Sequence, residues 1–142
     1  MNKLDSNNNI TIRAAAAEDL NVIMELLRPF MKEQQLLSRS REDVAQLLPS
    51  GFVALAAEAI VGFATIEIYS NKLAEIQCLA VCESCQGRGI GKFLIAACIE
   101  VAKQQSVLEV MAISASDQFL KQCGFDYSLP GQKRALFYNT QT

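Results

Sequence analysis

Ile10-Thr11-Ile12-Arg13 alternates apolar and polar positions, the period-two signature of a short half-buried strand. Leu20, Ile23, Met24 and Leu27 then recur at i, i+3, i+4 and i+7, which predicts an amphipathic helix ending near Arg28-Pro29. Ser40-Arg41-Glu42-Asp43 has a capping-box pattern and should open a shorter helix that stops before Pro49. Residues 52–57 and 60–69 read as two strands joined by a tight turn around Glu58-Ala59. Residues 73–81 are mostly apolar on both faces, as expected of a central strand covered on each side.

Past a glycine cluster, Ile90, Leu94, Ala97, Cys98 and Val101 trace a second helical stripe, and residues 107–113 are again strand-like. Residues 117–122 predict a short helix closed by Gly124 at its C′ position. Phe125–Tyr127 and Arg134–Tyr138 suit a final hairpin around Pro130-Gly131. The order β-α-α-β-β-β-α-β-α-β-β describes an α/β fold: a mixed, mostly antiparallel sheet with helices on both faces. A parallel step is expected from the 73–81 strand through the 90–104 helix to the 107–113 strand, with a right-handed crossover.

With 142 residues, half of them hydrophobic, the chain has the size of one domain, placed at 10–142. The polar opening Met1–Asn9 reads as a frayed tail. The net charge of −2 supplies no broad positive field for nucleic acid or an anionic membrane, and no apolar run is long enough to span a bilayer. A cytoplasmic protein is expected. Cys82-Glu83-Ser84-Cys85 spells CxxC, but the chain has no histidine and the five cysteines read as reduced thiols, so no metal is expected.

Gly87, Gly89 and Gly91 stand between a buried strand and a helix. Lacking Cβ, they let the backbone turn sharply and approach a ligand. The first amides of the next helix have no internal partner and lie at the positive end of its dipole. Together these features make a phosphate or pyrophosphate site, with Arg88 and Lys92 adding charge. GRGIG lacks the third glycine of a dinucleotide loop and the GK[ST] of a P-loop; a tight turn holding no ligand is the bland alternative.

The stretch Val81 to Leu94, containing Gln86-Gly87-Arg88-Gly89-Ile90-Gly91-Lys92, resembles the acetyl-CoA signature [QR]-x-x-G-x-[GA] of the GNAT superfamily of N-acetyltransferases. Residues 27–30, 37–42, 74–81 and 133–139 further resemble the acetyltransferase domain of N-acetylglutamate synthase. The resemblance implies acetyl-CoA as acetyl donor, held by Leu79, Ala80 and Val81 on the strand and by Gln86 through Lys92 in the loop. It implies transfer to a primary amine of a small molecule, with L-glutamate the leading acceptor; another amine, such as a protein N-terminus or an antibiotic, and a non-catalytic CoA-binding module are the alternatives. A homodimer joined at a sheet edge stays open.

Amine acetylation needs a base for the amine, support for an oxyanion and a proton for the departing thiolate. Glu75 is the candidate base. Cys78, three residues on, would face away from it in a regular strand, and a β-bulge between them would turn both toward one cleft. The tyrosine that donates the proton in many family members corresponds to Leu120 here, so the resemblance moves that role to Ser114. For an acidic acceptor, Arg39 and Lys72 are the candidate cations, with Arg134 in the closing strand as a further one.

Overall fold

The computed structural model describes residues 9–113, 117–127 and 136–140. Five strands form one sheet in the order β1-β2-β3-β4-β5: Ile10–Ala14, Gly51–Ala56, Ala59–Ile68, Leu73–Val81 and Glu109–Met111. The first four run antiparallel, and β5 lies parallel to β4. The α/β class, the mixed, mostly antiparallel sheet and the parallel step between residues 73–81 and 109–111 match the sequence reading.

Helices α1 (Leu20–Lys32) and α2 (Arg41–Leu47) cover one face, and α3 (Ile90–Gln104) covers the other; α4 (Asp117–Gln122) follows β5. Alternation along the strands feeds two cores. Ile10, Ile12, Ala64, Ile66, Ala74 and Ile76 pack with Leu94, Ile95 and Cys98 of α3. Val53, Phe63, Cys78 and Ala80 pack with Ile23 and Leu27 of α1 and Val44 of α2. At roughly 1.5–3 kcal/mol for each large side chain removed from water, these two layers are the main force holding helices to sheet.

Local chemistry explains most boundaries. Ser40 Oγ accepts from the Asp43 amide at 3.1 Å and Asp43 Oδ2 accepts from the Ser40 amide at 3.2 Å, closing the expected capping box. The buried hydroxyl of Thr65 donates to the Leu47 carbonyl at 3.0 Å and ties the end of α2 to β3. Gly124, with φ of 97°, ends α4 as expected.

Other boundaries differ from the sequence reading. α1 runs through Pro29 to Lys32, because Leu26, Leu27, Phe30 and Met31 all pack into the second core and outweigh the amide that proline lacks. The β2–β3 turn falls on Ala57 and Glu58, both at positive φ, one residue earlier than expected. Such a pair matches the right-handed twist of a two-residue hairpin, and the Ala56–Ala59 pairing imposes it. β5 is confined to three residues rather than seven. No strand is found in 125–127 or 136–138, and most of the remaining hairpin expectation, with Arg134, lies outside the described residues, as does the Met1–Asn9 tail except Asn9.

Candidate functional site

β4 carries a bulge in its middle. Thr65 pairs with Gln77 and Phe63 with Ala80, so Cys78 and Leu79 together oppose Ala64. Cys78 takes φ of 58°, a left-handed conformation costly for a residue with a Cβ. Before the bulge Ala74 and Ile76 face α3, leaving Glu75 and Gln77 on the α1–α2 side; after it Cys78 and Ala80 occupy that same side. Glu75, Gln77 and Cys78 therefore share one face, as a bulge between Glu75 and Cys78 requires.

On the opposite edge, β4 pairs with β5 only from Leu73 to Glu75. From Ile76 to Val81 that edge has no strand partner among the described residues, so the two parallel strands part where the bulge begins. Leu79, Ala80 and Val81 line the parted stretch. A parting of parallel strands leaves main-chain donors and acceptors available to an extended ligand.

The parted edge leads into the glycine loop. Gln86 Nε2 donates to the Val81 carbonyl at 2.9 Å, folding the loop back on the strand end. Gly87 and Gly89 lie at φ of 85° and 82°, and an added Cβ would meet nothing closer than 4.0 Å. Conformation, not space, demands glycine at both positions. Gly89 is the N-cap of α3 and no side chain caps it; the first intrahelical bond runs from the Phe93 amide to the Gly89 carbonyl at 3.2 Å. The amides of Ile90, Gly91 and Lys92 precede that bond, at the positive end of a 15-residue helix. Lys92 is exposed, and Arg88 donates to Cys85 Sγ at 3.7 Å. Uncapped amides, left-handed glycines and a free strand edge fit a long ligand with a diphosphate at one end.

On the α1–α2 side of β4 lies a polar group. Tyr69 Oη donates to Glu75 Oε1 at 2.6 Å. Gln77 Nε2 donates to Glu67 Oε1 at 2.8 Å, with Tyr69 Oη at 3.2 Å and Glu75 Oε1 at 3.3 Å. Arg39, from the connection between α1 and α2, donates to Gln77 Oε1 at 3.0 Å. The Glu75 carboxylate accepting its hydrogen bond, together with partial burial, pushes the Tyr69 phenol up to about 12. Burial pushes the Cys78 thiol up, partly offset by the Arg39 guanidinium.

Arg39, Glu75 and Cys78 thus come together at the bulge. Lys72 sits in the exposed turn before β4 and joins none of these bonds. Ser114 lies outside the described residues. Glu67, Tyr69 and Gln77 were not singled out from the sequence. Their signal was there: polar residues at i and i+2 spanning the end of β3, and at i and i+2 in β4, interrupting otherwise apolar stretches.

This fold and these surfaces have a family. The chain belongs to the acetyltransferase (GNAT) family, whose model matches residues 20–125. It is an N-acetyltransferase whose acetyl donor is acetyl-CoA. It is 31% identical over 114 residues to an uncharacterized N-acetyltransferase of Chlorobaculum tepidum, across 80% of this chain and 74% of that one. N-acetylglutamate synthase of Neisseria gonorrhoeae, solved with coenzyme A and N-acetyl-glutamate, superposes with a TM-score of 0.78 at 27% identity over 86% of this chain. The chain spans only 30% of that synthase. An aminoglycoside acetyltransferase from an uncultured soil metagenomic sample, solved with sisomicin, superposes with a TM-score of 0.65 at 29% identity, over 95% of this chain and 99% of that one.

Proposed function

We propose that the chain acetylates a primary amine of a small amino compound by direct attack on the acetyl-CoA thioester, with Glu75 as general base. The observation that carries this reading is the junction at the bulge: the parted edge of β4 and the carboxylate of Glu75 meet within one strand. Coenzyme A is read as lying with its diphosphate on the amides of residues 86–92 and its pantetheine arm along Leu79, Ala80 and Val81. The thioester then points at the residues around Glu75 and Cys78.

In that pose the ammonium gives a proton to Glu75, directly or through water. The amine lone pair forms the N–C bond while the carbonyl becomes an oxyanion facing main-chain donors of the parted strand. The nitrogen then gives up its second proton as the C–S bond breaks, and the thiolate takes a proton from solvent or from Ser114, which that second proton replenishes. The net change is an amide, free coenzyme A thiol and one proton released.

The likeness to N-acetylglutamate synthase points to L-glutamate, and Arg39 suits bidentate capture of a carboxylate, whereas Glu67 and Glu75 on the same face count against a dicarboxylate. Following free thiol while the purified protein is mixed with acetyl-CoA and a panel of amines tests the reading. Thiol release dependent on an amine is expected, and none above background with any amine would refute it.

A further inference from the structure

Glu67 and Glu75 are direct register partners on β3 and β4, and both face the α1–α2 side of the sheet. Two carboxylates directly opposite on neighbouring strands repel each other. Sequences usually avoid such a pair or place a cation between its members. Here the contacts that hold it are neutral: the Gln77 amide reaches both carboxylates and the Tyr69 phenol reaches Glu75. Neither Glu67 nor Glu75 has an ion pair among the described residues, and those of Arg13 with Asp19 and Arg28 with Glu25 lie elsewhere. Arg39 is the cation brought to the group, and it is spent on Gln77 Oε1.

We infer that the acceptor carries a second amino group, held as an ammonium by Glu67 while the reacting amine faces Glu75. This rests on the acetyl-transfer reading above and names the class of compound that the same face of the sheet selects. An ammonium at Glu67 replaces a like-charge repulsion with a charge-assisted hydrogen bond. A dicarboxylate would instead meet two negative groups and a single guanidinium already shared with Gln77. Where the acceptor also has a carboxylate, the remaining N–H donors of Arg39 suit it, so basic amino acids and simple diamines share the required chemistry.

Initial rates with acetyl-CoA and equal concentrations of L-ornithine, L-lysine, putrescine, L-glutamate and glycine read the preference. The diamino compounds are expected to exceed L-glutamate in kcat/KM by roughly tenfold or more, the scale of one charge-assisted bond. Ornithine and lysine outrunning putrescine would assign a carboxylate to Arg39, and the reverse order would assign a plain diamine; either order supports the inference. Glu67→Gln is expected to raise KM for the diamino compounds about tenfold while leaving their kcat within about twofold. L-glutamate or glycine preferred over every diamino compound overturns the inference and leaves the acetyl-transfer reading standing. So does a Glu67→Gln variant that slows all acceptors equally. No thiol release above background with any amine removes both.

Discussion

The phenol of Tyr69 donates to Oε1 of Glu75 across 2.6 Å, linking the end of β3 to the first half of β4 on the face that carries the proposed chemistry. This bond favours the neutral phenol and raises its titration to about 12. A group raised in this way contributes stability that is fully present below the unfolded value near 10 and lost as pH rises through the folded value. Ultraviolet titration of the protein against a Tyr69→Phe variant should assign a phenol ionising at about 12 to Tyr69, and Glu75→Gln should lower it.

Glu75→Gln keeps the shape of the side chain and removes the proposed base. Acetyl transfer should fall by roughly a hundredfold or more, as for the loss of a positioned base. Coenzyme A affinity, read by calorimetry, should stay within about twofold, because the diphosphate contacts proposed above lie in the loop past Val81. A variant with normal turnover would show that another group takes the proton.

Gly89→Ala forces a Cβ onto a backbone at φ of 82°. The strain of about 1–2 kcal/mol should lower the melting temperature. It should also turn the first amides of α3 away from a bound diphosphate, weakening coenzyme A by at least about tenfold in a calorimetric titration. An unchanged affinity would place the diphosphate elsewhere.

Arg13 holds the Asp19 carboxylate through paired hydrogen bonds of 2.8 and 3.1 Å, and the Ala16 amide donates to the same group at 2.7 Å. The Arg13 bond, ahead of the Ala16 bond, lowers the Asp19 titration below the ordinary 3.8. That contribution is present above the unfolded value and lost as pH falls through the folded one, so it vanishes only in strong acid. Asp19→Asn should cost about 1 kcal/mol near neutral pH and flatten the acid limb of a chemical-denaturation series.

Among the thiols, Cys82 is expected to react first. Its sulfur lies 3.2 Å from Ser84 Oγ, and that hydrogen bond lowers its titration, whereas burial pushes Cys98 up to about 12. Brief iodoacetamide treatment followed by peptide mapping should label Cys82 first and Cys98 last.

The glycine loop was legible at once, because its signal is local. Backbone at positive φ favours glycine, and residues 87 and 89 show it without reference to anything distant. Strand and helix identities up to residue 111 were legible for the same reason, each following from spacing within about ten residues, whereas the strands expected at 125–127 and 136–138 are not found. The end of α1 was misplaced because Pro29 is a local veto that Phe30 and Met31 override by packing on the sheet. The β2–β3 turn was misplaced by one because neither Ala57 nor Glu58 advertises positive φ.

Local spacing therefore settled the kind of elements, the α/β class and the likeness to an acetyl-CoA loop. Which residues face the acceptor was settled by pairing across strands. Glu67 meets Glu75 only through the β3–β4 register, Arg39 reaches Gln77 across 38 positions of sequence, and one extra residue at Cys78 turns the second half of β4 over. Register and bulges are set by the combined burial of two cores, a long-range quantity, so no window along the chain contains it.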